Sequence, residues 1–527
     1  MAVQKVLIDG NWVESTGRET FQAVNPQTGQ PLPDLYPISP FAEVDRAVKA
    51  AAAAAWRVRG WSGDRFAAFL DAFAGRLEKR SEELVATAHA ETALAVQPRL
   101  KDVELPRTVN QLRQAASAAR DGSWAQATID TKANIRSMYA PLGPVVVFGP
   151  NNFPFAFNGA AGGDFAAAVA AGNPVIAKGH SSHPGSSRLL AEEADHAARD
   201  TDMPAGFVQL IYRTSHADGE KLVSHRLMGA IGYTGSRSAG LTLKAAADRA
   251  GKPIYLELSS INPVFVLPGA LDERLEELAQ EFSTSCLMGT GQFCTNPGLV
   301  ILPGGPSSEA FVAAVAKRFD SSPAGVLLSE GVRHNFADGI KAIVAAGATI
   351  VAGGKSKAGA GVSFENTLLR ADGDTFLAHA EKLQTEAFGN ESLFVVAKNA
   401  EQMLAIAERL EGNLTGCLYS HRGGQDDGLY DRLAPIVRTR VGRLLNDKMP
   451  TGVAVSPAMN HGGPFPATGH PGFTAVGIPA SIHRFASLEC YDNVRSHRLP
   501  PALRNENPSG KLWRLIDGAW TQANIAG

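Results

Sequence analysis

The sequence predicts an α/β protein with two doubly wound parallel-sheet domains. Three observations carry that expectation. From Val145 onward, short apolar runs alternate with helix-forming segments, the rhythm of a parallel sheet covered by helices. A second series of the same kind begins after Asn262. The chain has 527 residues, 44% of them hydrophobic, which at roughly 150 residues per domain is enough for about three domains with sizeable cores.

The elements are read in order. Val6-Leu7-Ile8 and Trp12-Val13 flank the turn Asp9-Gly10-Asn11 and read as a small strand unit. A second turn, Asn25-Pro26-Gln27-Thr28-Gly29, follows. Ser39 before Pro40 reads as a helix start, with Ser39 as the cap and Pro40 at the first helical position. The alanine-rich run Ala42–Trp56 is a strong helix former, and Asp64–Arg80, Ser81–Leu94 and Pro106–Asp121 continue the helical block. Ile129–Tyr139 is β-branched and alternating, so it is read as extended chain. The first sheet series takes its strands from Val145–Phe148, Val175–Ala177, Val208–Tyr212, Ala230–Tyr233 and Ile254–Leu258. Its helices lie near Phe165–Ala171, Ser186–Asp200, Ala217–His225 and Ser236–Ala250. The second takes strands from Val264–Leu267, Leu299–Leu302, Thr349–Ala352 and Leu393–Ala397, with helices near Leu271–Ser285 and Ser308–Phe319. Ala480–Asn493 reads as strand, and the tail after Leu499 as irregular. Two such series imply a cleft between two α/β domains.

Composition excludes several functions. The 50 Lys+Arg against 52 Asp+Glu leave a net charge of −2, without the basic surplus of a nucleic-acid binder. No run of about 18 apolar residues suggests a membrane span. Met1–Asp9 lacks the basic and apolar regions of an export signal, so a cytoplasmic protein is expected. The four cysteines, Cys286, Cys294, Cys417 and Cys490, form no C-x-x-C pair, and no metal site or disulfide framework is expected. One reactive thiol and three packing residues are expected among them. The 53 glycines form no repeat; many end apolar runs, where the backbone must turn or approach a ligand.

Four strand ends and one glycine-rich loop carry groups with chemistry. Gly149-Pro150-Asn151-Asn152-Phe153-Pro154 follows the first strand of the first series, where an Asn amide can donate to an oxyanion. Lys178 ends the next strand. Tyr233-Thr234-Gly235-Ser236 opens a helix that carries Gly240, and a helix N-terminus with small residues suits a phosphate. Glu257 ends a fourth strand, where a carboxylate can act as general base. Gly289-Thr290-Gly291-Gln292-Phe293-Cys294 places a thiol where glycines permit close substrate approach. Each feature alone also fits a turn, a strand end or a packed thiol.

Together they resemble the aldehyde dehydrogenase superfamily over nearly the whole chain. Gly291-Gln292-Phe293-Cys294 resembles the family's nucleophile motif, and Asn152 before Phe153-Pro154 its oxyanion asparagine. Glu257-Leu258 followed by Asn262-Pro263 resembles its general-base motif. Thr385-Glu386-Ala387-Phe388-Gly389 looks like its E-x-F-G motif, which contacts the nicotinamide ribose. The resemblance implies aldehyde oxidation through a thiohemiacetal and a thioester on Cys294, with no metal. CoA-acylating chemistry and a non-catalytic binding protein are the remoter readings. It implies a cofactor domain (1–122 and 143–258), a catalytic domain (259–475), a projecting β arm for oligomerisation (123–142 and 476–500) and a tail (501–527). An exposed strand edge of that kind pairs with another chain, so a homodimer or homotetramer is expected.

Two departures from the family pattern refine the expectation. Ser259-Ser260 stands where Gly-Gly is usual. Lys178-Gly179-His180-Ser181 replaces Lys-Pro-x-Glu, so Ser181 would not repel a ribose 2′-phosphate. Lys178 and Arg213 could pair with that phosphate, which implies NADP in preference to NAD. Asn460-His461-Gly462-Gly463 and Thr234-Gly235-Ser236-Arg237-Ser238-Ala239-Gly240 are similar to the branch of 2,5-dioxopentanoate (α-ketoglutaric semialdehyde) and NADP-dependent fatty-aldehyde dehydrogenases. By that resemblance His461 sits near the thiol and keeps it ionised. Phe153, Phe155, Phe157 and Phe293 suggest an apolar tunnel. The expected substrate is 2,5-dioxopentanoate, with aliphatic aldehydes as the alternative; the residue that would hold its carboxylate is not evident in the sequence.

Overall fold

Strands β1 (Val6–Ile8) and β2 (Asn11–Val13) open the chain, and β3 (Thr20–Phe21) pairs with β4 (Tyr36–Pro37) in a separate small hairpin. After a helical block come β5 (Thr128–Asp130) and β6 (Ile135–Pro141). The first series then gives β7 (Val145–Phe148), β8 (Val175–Lys178), β9 (Val208–Ile211), β10 (Ala230–Thr234) and β11 (Ile254–Glu257). The second gives β12 (Val264–Val266), β13 (Leu299–Pro303), β14 (Thr349–Ala352), β15 (Thr367–Asp372), β16 (Glu391–Ala397), β17 (Asn413–Tyr419) and β18 (Val441–Asn446). Strands β19 (Ala486–Asp492), β20 (Arg514–Ile516) and β21 (Ala519–Thr521) end the chain. These elements come from a computed structural model that describes residues 3–357 and 361–525.

The first sheet runs β11-β10-β7-β8-β9-β1-β2. Strands β7 to β11 are parallel, and β1 and β2 add antiparallel at one edge. The chain builds outward from β7 through β8 and β9, then returns to the other side of β7 for β10 and β11. That reversal opens a crevice at the carboxyl ends of β7 and β10. Every residue of β7, β9 and β11 is buried, as expected of strands covered on both faces, and this is why they read as plain apolar runs.

The second sheet runs β14-β15-β16-β13-β12-β17-β18. All its pairs are parallel except β14–β15. Its strand β14, expected to continue the parallel series, is an antiparallel edge whose first three residues are exposed. A five-stranded sheet, β19-β6-β5-β20-β21, forms the third body.

Several sequence expectations need correction. The tail is not irregular: β20 pairs parallel to β5, Leu515 opposite Thr128, and β21 closes the sheet. Leu499 and Leu503 of the tail pack on Ala127 and Ile129. Only Ala486–Asp492 of the predicted strand Ala480–Asn493 is extended; Ala480–Phe485 is a 3₁₀ helix. Ser39 does not cap the first helix, which runs Phe41–Val58 with Pro40 at the cap position. The Ser39 N–H instead donates to the Arg213 carbonyl at 2.8 Å. Cys286 and Cys417 are buried as expected, but Cys490 is exposed, because it lies on β19 at the edge of the third sheet. Phe473, Ala475, Val476 and Ile478 join the core of the first sheet, which draws the segment around His461 onto that sheet. Among the described residues no helix is long and apolar enough to cross a membrane.

Candidate active site

The carboxyl ends of the first sheet's parallel strands converge on one edge. Asn152 follows β7, Lys178 ends β8, Arg213 follows β9, Gly235 and Ser236 follow β10, and Glu257 ends β11. The loop after β7 is clamped in place. Glu104 Oε1 accepts the N–H groups of Phe155 (2.8 Å) and Ala156 (3.1 Å). Its other oxygen pairs with Arg99, which also donates to the Asn152 carbonyl at 2.9 Å.

The second sheet presents its opposite edge. Cys294 precedes β13, Glu386 and Phe388 precede β16, and Asn262 precedes β12. Gly291 has φ +66° and a Cβ there would lie 2.0 Å from the Gly389 carbonyl oxygen, so the loop carrying Cys294 can pass this point only with glycine. Asn262 Nδ2 donates to the carbonyls of Cys294 (2.9 Å) and Asn296 (2.8 Å). Asn413 Oδ1 accepts from the N–H groups of Ile261 (2.9 Å) and Asn262 (3.1 Å). These amides fix the backbone of the thiol loop.

Across the cleft the two edges meet. His461 Nε2 lies 3.4 Å from Cys294 Sγ and 2.9 Å from Glu257 Oε1. One ligating atom from each of Glu257, Cys294 and His461 falls within 4.8 Å of the others. The β11 end is held by a bridge from Glu257 to Thr468, with Leu258 N–H donating to the Ala467 carbonyl at 2.8 Å; this carries the His461 segment to the thiol. Among the described residues Glu257 Oε2 is buried with no hydrogen-bond partner, an oxygen open to one more proton donor. Asn152 Nδ2 donates to the Gln292 carbonyl at 3.0 Å, which leaves its second amide proton for another acceptor.

Burial and the negative charge of Glu257 push Cys294 well above the usual thiol range, and the Arg107 charge opposes them only in part. The expected proximity of His461 is present, and the adjacent carboxylate acts against ionisation of the thiol.

The predicted cofactor residues lie along the first sheet's edge and across from it. Lys178 is half-buried and has no hydrogen-bond or ion partner among the described residues; burial and the charge of Arg213 push it down to about 8. Arg213 itself is exposed, with its guanidinium over the Phe21 ring, and Ser181 is half-buried. Ser236 is the cap residue of the helix Arg237–Arg249 and makes no side-chain cap bond, which leaves the first amides of that helix uncapped, as suits an anion. Gly240 is closely packed: a Cβ there would lie 2.5 Å from Leu258 Cδ2 and 2.9 Å from Tyr233 Cε1, so a side chain would have to move. Glu386 is pushed up to about 7 by burial, against hydrogen bonds from the Ser259 hydroxyl and the Ser260 N–H. The two serines that replace glycines thus bond the E-x-F-G carboxylate. A cavity beside them is lined by Ser260, Phe293, Glu386 and Phe388. An uncompensated lysine and an uncapped helix start fit the diphosphate and ribose of a nicotinamide dinucleotide.

Aromatic rings line the other side of the thiol. Phe153 packs edge-on against Phe157 (5.0 Å between centroids) and Phe293 (5.7 Å), and Phe157 lies 5.8 Å from the His461 ring. Phe155, grouped with them in the sequence, is fully buried in the first core. Sequence reasoning missed Arg99, Glu104 and Arg107, which flank these rings. It also missed Asn413, which lies on a strand that was not predicted. None has a local signal; the only hint is that Pro98-Arg99 and Pro106-Arg107 interrupt the helical block.

The description "Aldehyde dehydrogenase family" matches residues 12–434. The chain is 38% identical over 511 residues to alpha-ketoglutaric semialdehyde dehydrogenase 2 of Azospirillum brasilense, covering 95% of this chain and 96% of that one. It is 34% identical over 530 residues to alpha-ketoglutaric semialdehyde dehydrogenase of Acinetobacter baylyi, covering 98% and 99%. Its fold is similar to that of aldehyde dehydrogenase C from Pseudomonas syringae in complex with NAD+ and octanal, with a TM-score of 0.79 and 21% identity over 93% of this chain and 96% of that one. On a family match across most of its length and relatives that align end to end, the chain belongs to the aldehyde dehydrogenase family and carries out NAD(P)-dependent aldehyde oxidation.

Proposed function

We propose that the protein oxidises 2,5-dioxopentanoate to 2-oxoglutarate, with Cys294 as nucleophile, Glu257 as general base, Asn152 as oxyanion donor and NADP as the preferred acceptor. The observation that carries the chemistry is the contact of one imidazole nitrogen with both the Cys294 thiol and the Glu257 carboxylate. The substrate reading rests on the two full-length relatives named for α-ketoglutaric semialdehyde.

The residues divide the reaction between them. The thiol proton passes to the His461–Glu257 pair, and the Cys294 sulfur bonds to the aldehyde carbon. The resulting oxyanion accepts from the free Asn152 amide proton and from the Cys294 backbone N–H. The nicotinamide, when bound, supplies the hydride acceptor that turns this adduct into a thioester. Lys178, Ser181, Arg213, the Gly235-Ser236 turn, Glu386 and Phe388 would hold that cofactor. Glu257 then takes a proton from water at its unpartnered Oε2, the water oxygen bonds to the thioester carbon, and the acid leaves as the sulfur is freed. Water resolves the thioester, so CoA has no part in turnover.

NADP is supported by two cations, Lys178 and Arg213, near a neutral Ser181, where a 2′-phosphate would find partners. Phe153, Phe157 and Phe293 favour a second reading, oxidation of aliphatic aldehydes. We also read the third sheet as an oligomerisation arm: Leu488 on β19 and Trp520 on β21 are exposed on its two edge strands, so a homodimer or homotetramer is expected by light scattering. Cofactor reduction measured by absorbance with a panel of aldehydes tests the reading. The highest kcat/KM is expected for 2,5-dioxopentanoate with NADP, independent of CoA. A higher value for alkanals moves the assignment to the second reading, and equal efficiency with NAD rejects the cofactor preference. The Cys294→Ala protein is expected to reduce no cofactor.

A further inference from the structure

Two arginines flank the aromatic wall, and they differ in what they are bonded to. Arg99 is committed: it pairs with Glu104 and holds the Asn152 carbonyl. Arg107 stands in the first turn of the helix Leu105–Asp121. It has no ion pair and no hydrogen bond among the described residues, and its Nε and Nη2 are buried without a partner. Glu104, the carboxylate whose charge acts on it most strongly, is already used by Arg99 and by two backbone amides.

Its position relative to the reacting groups is direct. The Arg107 guanidinium lies 5.2 Å from the Phe157 ring centroid and 5.8 Å from that of Phe153. The Phe157 ring is 5.8 Å from the His461 ring, and His461 contacts the Cys294 sulfur. A chain of contacts therefore runs from the thiol through the imidazole and the Phe157 ring to the guanidinium. A buried cation without a counter-ion is costly, and a guanidinium fork matches a carboxylate in two parallel hydrogen bonds. The guanidinium lies over both rings, and its Nε and Nη2 remain without a partner among the described residues. Arg443, the other cation that feels the Cys294 charge, already donates to the Pro450 and Gly452 carbonyls.

We propose that Arg107 is the specificity-determining residue that binds the distal carboxylate of an ω-oxo acid whose aldehyde carbon reaches Cys294. The proposal rests on the aldehyde-oxidising reading of Cys294 and names the residue that would hold the anionic end of its substrate. It assigns a class, short aldehydes with a carboxylate at the far end, of which 2,5-dioxopentanoate is one.

The test compares kcat/KM for ω-oxo acids of four to six carbons, 2,5-dioxopentanoate among them, with kcat/KM for alkanals of the same lengths. It uses the full-length wild type, Arg107→Met and Arg107→Lys. In R107M the ratio of acid to alkanal efficiency is expected to fall about 100-fold, mostly through KM for the acid. Alkanal oxidation falls by only a few-fold, from the loss of a cation that favours ionisation of the thiol. R107K keeps a charge without the fork, and its ratio is expected to fall about tenfold. Should R107M fail to fold, the R107K ratio decides, and an unchanged ratio there overturns the proposal. Equal losses for both substrate classes in R107M overturn it, because they mark a structural role or an effect on the thiol alone. A wild type that prefers no ω-oxo acid over alkanals also overturns it. A wild type that prefers ω-oxo acids other than 2,5-dioxopentanoate, with the ratio collapsing in R107M, supports Arg107 and overturns only the substrate named above.

Discussion

The two large sheets are built alike, seven strands each and mostly parallel, yet they offer opposite ends to the site. The first presents its carboxyl edge, with Asn152, Lys178, Gly235 and Glu257 at strand ends. This is the usual place for ligands in an open α/β sheet. The second presents its amino edge, with Asn262, Cys294, Glu386 and Asn413 just before or at strand starts. The polar groups at the two edges are in different states. Among the described residues, Lys178 and Glu257 Oε2 on the first edge have no partner and are open to a ligand or water. On the second, Asn262 and Asn413 spend their amides on backbone groups of the loops beside Cys294. The first edge leaves polar groups open, whereas Asn262 and Asn413 on the second hold the loop of Cys294 in place.

Removing Glu257 is the most severe way to break that division. Glu257→Gln is expected to lower kcat about 1,000-fold by removing the general base. The Cys294 thiol should remain open to alkylation, and its alkylation should move to lower pH, because the carboxylate charge that raises the thiol is gone. Alkylation followed across pH in both proteins reads this. A variant that keeps wild-type kcat would place the base elsewhere.

The cofactor side should respond less. Lys178→Ala is expected to raise KM for NADP about 10- to 100-fold, the loss of a charged hydrogen bond to an anion. In the wild type two titrations bracket the affinity. Glu386, at about 7, must be ionised to accept from ribose hydroxyls and loses that charge as pH falls. Lys178, at about 8, must be protonated to bind a phosphate and loses that proton as pH rises. KM for NADP should thus be lowest between about pH 7 and 8. In Lys178→Ala only the alkaline limb should disappear.

The smallest change in activity is expected at the positioning edge. Asn413→Ala leaves the N–H groups of Ile261 and Asn262 without their acceptor and should cost about 1–3 kcal/mol of stability, read as a lower denaturant midpoint. The kcat should drop less than in Glu257→Gln, with KM for NADP little altered. A large KM change with no loss of stability would show that Asn413 acts on the cofactor and not on the backbone of the Asn262 loop.

The legible part of the fold follows from burial. Strands such as β7 and β9, covered on both faces, are unbroken apolar runs. Strand β17 is equally buried, yet Asn413, Thr415 and Gly416 interrupt its apolar pattern, and Gly442 and Arg443 do the same for β18. Those polar residues serve the site: Asn413 anchors the loop of Asn262, and Thr415 bonds the Asn262 side chain. Strands β20 and β21 are only three residues each, too short for alternation to register.

By itself the sequence determined the α/β class, the doubly wound series and the short motifs around Asn152, Glu257 and Cys294, since each is a local pattern within a few residues. It also carried the resemblance that set His461 near the thiol. Only the tertiary structure decided the electrostatics. A thiol's ionisation depends on a carboxylate from another sheet, and the state of Arg107 depends on whether Glu104 is already taken. Both are balances of charge, burial and hydrogen bonding among groups far apart in the chain, and no spacing along the chain records them.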